Sequence, residues 1–175
     1  MKHKFRLLVP RNELQKYYSM YEYDLEELEN EVQDKIVPAV QKRGYCTKSE
    51  FLKICKWKTR RTQSRCKKND ESFIKEVTRI AFSARNEKIR IEIFTLLAGV
   101  NYPTASVFLH FCHQEPYPII DFRALWSLNI KYDVIYNFEF WMQYTQYCRS
   151  LASKYNLTMR ELDKALWYYS KKKQK

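Results

Sequence analysis

The scarcity of glycine is the feature that most limits how this chain can fold. Only Gly44 and Gly99 occur among its 175 residues, and runs of alternating apolar and polar residues, which would indicate strands, are hard to find. Apolar residues recur at helical spacing instead. The sequence therefore predicts an all-α fold, and its length predicts one compact multi-helix domain over residues 1–175.

Local signals predict where the helices lie. Thr47 and Glu50 have the spacing of a capping box, and so do Thr158 and Glu161. Asn69 or Asp70 is expected to cap a helix, and Pro38 is expected to kink the first one. Residues 171–175 are predicted to be a frayed basic tail. The predicted helices cover about 25–42, 48–57, 71–83, 87–97, 103–111, 137–155 and 159–170.

The charge balance favours a polyanionic partner. Lys and Arg number 32 against 20 Asp and Glu, so the net charge is +12. An anionic membrane surface would also explain this charge, but no apolar run approaches the ~18 residues of a membrane span. No long apolar segment of a signal peptide follows Met1. We therefore expect a soluble, cytoplasmic, nucleic-acid-binding protein with no membrane association.

The cysteines and histidines indicate neither a metal site nor a cofactor. Five cysteines are spread through the chain without a Cys-x-x-Cys pair, so we expect reduced thiols, mostly in the core. His110 and His113 share a helical spacing near Cys112, but the nearest acidic residue, Glu115, falls in a predicted loop. The sequence therefore predicts no metal and no cofactor.

The segment 53–68 is the most basic part of the chain. It holds no acidic residue, and polar residues such as Thr59 and Thr62 predict a loop within it. A solvated, highly charged linker and a surface that contacts phosphates both explain it, and the turn at Gly99 favours the second. We call it the basic segment. Its eight basic members are Lys53, Lys56, Lys58, Arg60, Arg61, Arg65, Lys67 and Lys68.

A short turn between two predicted helices starts at Gly99. An apolar helix end leads into Gly99 and Val100, and Pro103 suits the first turn of the next helix because its missing amide needs no partner there. Backbone amides exposed at such a turn can bind a phosphate oxygen. An ordinary helix–helix turn with Gly at a helix end is the alternative explanation.

Residues 99–105, Gly-Val-Asn-Tyr-Pro-Thr-Ala, resemble the helix-hairpin-helix motif of DNA-binding proteins, which predicts that motif over about 87–112. Asn101 stands where the motif has its second glycine, and we expect it in the left-handed conformation that Asn tolerates. Duplex DNA is the partner that this resemblance implies. The residues expected to contact it are Gly99, Val100, Asn101, Tyr102, Thr104, Lys58, Arg60, Arg61 and Arg65.

Asp121 follows Gly99 by 22 residues and ends an apolar run. With the turn in this register, residues 91–126 resemble the helix-hairpin-helix DNA glycosylase superfamily. The resemblance implies that Asp121 is a catalytic carboxylate, which stabilises the sugar cation formed as the N-glycosidic bond breaks and orients water. Capping of a helix that begins at Phe122 is the alternative, and it is compatible with catalysis.

Two departures limit the implied chemistry. Pro103 stands where bifunctional members carry the lysine that attacks the sugar, so the resemblance implies a monofunctional enzyme without strand cleavage. The four-cysteine iron–sulfur loop of some members is missing, since only Cys148 follows Asp121. Stacking on a flipped base is assigned to Trp57 and Tyr117, with Tyr102 as a further candidate, and packing in the core is the alternative.

The chain also resembles a widespread group of small bacterial proteins that share its Trp57, Lys58 and Arg61 and its residues 162–167, Leu-Asp-Lys-Ala-Leu-Trp. We expect a DNA-binding repair protein with the hydrolase chemistry of a monofunctional DNA glycosylase. A non-catalytic helix-hairpin-helix DNA-binding module is the alternative. An RNA-binding or membrane-surface protein would explain the charge but not the register of Gly99 and Asp121.

Overall fold

The computed structural model describes residues 3–21, 26–130 and 134–174. Within these ranges every regular element is a helix and no residue belongs to a strand, which confirms the all-α prediction. None of the helices in the described part of the chain is long and apolar enough to cross a bilayer.

Most of the predicted helices are present within a few residues of their expected bounds. Two 3-10 turns, Arg11–Glu13 and Ile93–Leu96, and one π-helical turn, Val32–Ile36, accompany the α-helices. The α-helices are α1 (Leu14–Ser19), α2 (Glu26–Glu31), α3 (Val37–Arg43), α4 (Lys48–Lys58), α5 (Gln63–Cys66), α6 (Glu71–Ser83), α7 (Glu87–Glu92), α8 (Tyr102–Cys112), α9 (Phe122–Ser127), α10 (Phe138–Tyr155) and α11 (Met159–Lys173).

The chain divides into two compact units. The central unit is Asp24–Glu115, and the terminal unit combines Met1–Tyr23 with Pro116–Lys175. The terminal unit is thus assembled from both ends of the chain, with the central unit inserted between them in sequence. The single domain over 1–175 stays a prediction, and each unit is described by itself below.

The first long helix of the central unit is interrupted without being broken. It runs from α2 through the π-helical turn into α3, so the predicted helix over 25–42 is confirmed for the described residues, which exclude Leu25. The wider turn ends at Ile36, two residues before Pro38, whose ring removes one amide donor from the helix. Gly44 ends the helix in the left-handed conformation, with φ +79°.

Helix α8 is the centre of the core of the central unit. Eight of its eleven residues are buried. The ring of Phe108 stacks on Phe51 of α4 and on Phe94, with centroid distances of 5.4 Å and 5.1 Å. Burying aromatic rings of this size stabilises a fold by about 1.5–3 kcal/mol each. The start of α8, and the turn before it, are therefore held by a packed core.

The terminal unit packs α11 against α1 and α9. The extended chain before α1 also belongs to it, because the amide of Leu8 donates to the carbonyl of Ser127 at 2.8 Å. Helix α11 begins at the predicted capping box, where both hydrogen bonds between Thr158 and Glu161 are present. It runs to Lys173, three residues beyond the predicted end at 170. The frayed tail over 171–175 stays a prediction, and Lys175 lies outside the described residues.

Two further expectations for the central unit need correction. The predicted loop of the basic segment contains a short helix, α5, which buries Cys66 in the core. The helix predicted over 87–97 is α-helical only to Glu92 and tightens into a 3-10 turn from Ile93. In both places the chain turns inward to bury one apolar side chain, Cys66 or Phe94, and this tertiary contact overrides local propensity.

Candidate nucleic-acid interface

The turn at Gly99 is pressed against the helix of the basic segment. Gly99 has φ +86°, and a Cβ atom there would lie 2.8 Å from Sγ of Cys66 and 3.1 Å from Cβ of Arg65. Distances below about 3 Å require the neighbouring atoms to move. Glycine is therefore required at this position for two reasons: the backbone is left-handed, and α5 approaches too closely for a side chain to fit.

The side chain of Asn69 connects the turn to the basic segment by hydrogen bonds. Its Nδ2 donates to the carbonyls of Ala98, at 3.0 Å, and Cys66, at 2.9 Å, while its Oδ1 accepts from the amide of Ala98 at 2.8 Å. The side chain is buried, so its amide would be costly to leave without these partners. Asn69 thus joins the turn to the basic segment. Asp70 occupies the N-cap position of α6 instead, without a side-chain capping bond.

The conformation expected for Asn101 is wrong. Its φ of −129° and ψ of −179° are extended, and the residue is the N-cap of α8. The Oδ1 atom of Asn101 accepts from the amide and the hydroxyl of Thr104, both at 3.3 Å. Asn is therefore compatible with this position because it caps the helix, a role that needs no left-handed backbone.

The backbone amides of the turn are only partly available to a ligand. Val100 donates its N–H to the carbonyl of Leu97 at 3.0 Å, and Thr104 donates to Asn101. Within the described part of the chain, the amides of Gly99 and Asn101 donate to no protein acceptor. Asn101 is exposed and Gly99 is half-buried, so these two amides are the candidates for phosphate contact.

The other residues predicted in the turn are held by the protein itself. Val100 and Thr104 are buried, with 8% and 2% of their surface exposed. The hydroxyl of Tyr102 donates to Oε1 of Glu92 at 2.8 Å. Their predicted DNA contacts therefore have no support from the geometry, in contrast to those of Gly99 and Asn101.

The basic segment exposes most of its charge. Arg60, Arg61 and Arg65 are exposed, and Lys58 is half-buried. A groove of about 530 Å³ lies along α4 and α5, and no acidic side chain lines it. Its lining residues are Ser49, Leu52, Lys53, Lys56, Arg60, Gln63 and Lys67.

The cations of this groove differ in how free they are. Nζ of Lys53 lies 2.5 Å from Oε1 of Glu31, and this hydrogen bond holds the pKa of Glu31 below its ordinary value. Lys56, Arg60 and Lys67 are exposed and form no ion pair with any carboxylate in the described ranges. Lys56 and Lys67 were not singled out as site residues from sequence, although the charge run itself contained the signal.

Two buried thiols, those of Cys55 and Cys66, belong to the basic segment. All five cysteines of the chain are free and buried, as predicted. The thiol of Cys55 forms a hydrogen bond with the sulfur of Cys66, which lowers the pKa of Cys66 to about 6, while burial raises the pKa of Cys55. The described residues contain no cluster of His, Cys, Asp and Glu that could hold a metal ion.

The two predicted stacking residues are core residues. Trp57 is 5% exposed and meets Phe111 edge to face, with ring centroids 5.0 Å apart. Tyr117 is fully buried; its ring stacks on Trp141 at 5.5 Å, and Arg149 covers it at 4.7 Å. No ring face of either residue is open to a base in this conformation, so the geometry gives no support to their predicted stacking roles.

Asp121 is the N-cap of α9 in the terminal unit. Its Oδ1 accepts from the amide of Arg123 at 3.0 Å, which confirms the capping role that the sequence left open. The carboxylate is partly exposed, and its charge adds to burial in raising the pKa of Tyr136. Asp121 and Gly99 belong to different units.

Comparison of the chain with protein-family models, with curated proteins and with solved structures gives no match.

We predict that Gly99→Ala is more destabilising than Gly44→Ala. Both glycines have positive φ, but a Cβ at Gly44 meets nothing within 4 Å. Gly44→Ala should therefore cost only the left-handed conformation, about 1 kcal/mol. Gly99→Ala should cost an additional ~1–3 kcal/mol, because Cys66 and Arg65 must move. The free energy of unfolding in urea measures both, and equal losses would contradict the close approach of α5 to the turn.

Proposed function

We propose that the protein binds duplex DNA through the basic segment and the turn at Gly99. The observation that carries the proposal is the exposed cluster of Lys56 on α4, Arg60 between α4 and α5, and Lys67 at the end of α5. These three cations form no ion pair in the described residues, and their segment packs directly against the turn. Unpaired cations that are held together on a rigid surface attract a polyanion, because each neutralised phosphate releases counterions.

The turn adds directional donors to this charge. The amides of Gly99 and Asn101 are the backbone donors left without a protein acceptor in the described turn, and a phosphate oxygen would satisfy them. Contacts of this kind fix the position of a protein on the backbone without reading base sequence. We interpret residues 87–112 as a helix-hairpin-helix motif on this basis.

The second part of the proposal is monofunctional glycosylase chemistry at Asp121. The amide of Arg123 holds this carboxylate at the start of α9, so its charge is positioned before any substrate binds. A positioned carboxylate can stabilise an oxocarbenium-like transition state and orient water. Pro103 excludes the lysine nucleophile at that position, so the proposed product is an abasic site in an intact strand.

We predict that the triple substitution Lys56→Ala, Arg60→Ala and Lys67→Ala weakens binding to a labelled duplex by roughly tenfold or more at low salt. The slope of log K against log salt concentration should decrease in magnitude by about 2–3, because about three phosphate contacts are lost. Fluorescence anisotropy over a salt series measures both quantities.

A matched variant controls for net charge. The control residues are exposed, belong to the same unit and do not line the groove; they are Lys42, Arg85 and Lys88. Their triple Ala variant also removes two lysines and one arginine, so it changes the net charge by the same amount. We expect it to change affinity and salt slope much less. If the two triple variants lose the same affinity, DNA binding depends on net charge alone and the proposed surface is wrong.

We predict that Asp121→Asn abolishes base release while it preserves folding and DNA affinity. Asn caps helices as well as Asp does, so the hydrogen bond from Arg123 survives while the charge is removed. Duplexes that carry uracil, alkylated purines, 8-oxoguanine or mismatches are incubated with protein and then treated with alkali, which cleaves at abasic sites. Asp121→Ala, which also loses the cap, should in addition lower the free energy of unfolding by about 1 kcal/mol.

The outcome separates the two candidate functions. Release of at least one base by the wild type, lost in Asp121→Asn, supports the enzyme. If wild-type protein leaves every duplex intact while the groove variant still loses affinity, the protein is a non-catalytic DNA-binding module.

A further inference from the structure

The terminal unit carries a continuous series of aromatic and cationic side chains that the proposed duplex surface does not include. Four of its members, at positions 160, 164, 167 and 171, recur at helical spacing along one stripe of α11. The eleven-residue rise from position 160 to position 171 spans about 16 Å along the helix axis. We call the series the aromatic–cation ladder, and its members are Tyr21, Phe122, Arg123, Arg160, Lys164, Trp167 and Lys171.

Each member of the ladder contacts the next. The ring of Tyr21 has Arg160 at 5.3 Å and Lys164 at 5.1 Å from its centroid, and it meets Trp167 edge to face at 5.5 Å. Arg123 and Lys171 lie 5.3 Å and 5.4 Å from the centroid of Trp167. The chain of contacts ends at Phe122, whose centroid is 5.0 Å from the guanidinium of Arg123.

The charges of the ladder are unevenly neutralised. Asp163 accepts from Nη1 of Arg160 at 2.6 Å, so this end is neutral. Arg123 and Lys171 form no ion pair with a carboxylate in the described part of the chain. Aromatic rings hold these two cations in place instead of acids, and their full charge remains for an anionic ligand.

We infer that the aromatic–cation ladder binds an unpaired nucleic-acid strand. A nucleotide combines a phosphate with a flat base, and the ladder combines cations with rings and with a guanidinium plane, which stack on bases. In a duplex the base faces are already stacked on one another, so this ligand is single-stranded. The exposed ring of Phe122, with 48% of its surface accessible, is the position best placed for a base.

An anionic membrane is the competing partner for cations mixed with Trp and Tyr. Membrane insertion requires a broad exposed apolar surface, and among the aromatic rings of the ladder only Phe122 is exposed. Trp167 and Tyr21 are half-buried, with cations over their rings. The observations therefore favour the nucleic-acid strand.

The test measures binding of the full chain to a short fluorescent oligothymidylate and to a duplex. Trp167→Ala with Lys171→Ala should weaken oligothymidylate binding roughly tenfold and change duplex binding less than about twofold. The matched control removes a cation–π pair outside the ladder, Lys154 and Tyr155 of α10, which lie 5.7 Å apart, and it should leave both affinities unchanged.

A second variant distinguishes loss of binding from loss of folding. Arg123→Gln with Lys171→Gln keeps every ring and should lower oligothymidylate affinity severalfold, with a shallower salt dependence. Wild-type affinity for oligothymidylate in both variants would overturn the inference. So would equal losses on single strand and duplex, or a loss confined to vesicles of phosphatidylcholine and phosphatidylserine. The duplex binding proposed above is assigned to Lys56, Arg60 and Lys67, which lie outside the ladder, so the two proposals fail independently.

Discussion

The close approach of Gly99 to α5 is the contact on which the proposed DNA-binding surface depends. At this contact the basic segment and the turn become one rigid surface, because no side chain separates Gly99 from Cys66 and Asn69 hydrogen-bonds to both sides. Without it, the five basic residues that follow α4 would belong to a solvated loop, and their charge would have no fixed relation to the turn. A charge cluster binds phosphates best when the protein has already paid the entropy of ordering it.

Periodicity and capping signals in the sequence were sufficient for most of the fold. The capping boxes at Thr47 and Thr158 gave the starts of α4 and α11, because their hydrogen bonds are local. Pro38 predicted a disturbance of the first helix, although not its form as a π-helical turn. The helix within the basic segment was beyond local signals. It buries Cys66 in the core, and that information lies in contacts between residues distant in sequence.

The candidate site shows the same division between local and tertiary information. The sequence alone indicated Gly99, the run of basic residues, and the capping role of Asp121, because each depends on residue type and spacing. It did not indicate the extended backbone of Asn101, the hydrogen bonds of Asn69, or the burial of Trp57 and Tyr117. Packing decides whether such a side chain faces the core or a ligand. Aromatic residues in a basic protein are thus poor evidence for base stacking until their burial is known. In the aromatic–cation ladder Phe122 is exposed and Trp167 is half-buried.

The most direct test of a single surface is an amide chemical-shift titration of the isotopically labelled chain with a short duplex. We predict that the amides of Gly99 and Asn101 shift together with those of Arg60 and Arg65, along one binding curve, and that Gly99→Ala uncouples them. Shifts confined to the basic segment, with Gly99 and Asn101 unmoved at saturation, would show that the turn is only structural and does not bind DNA.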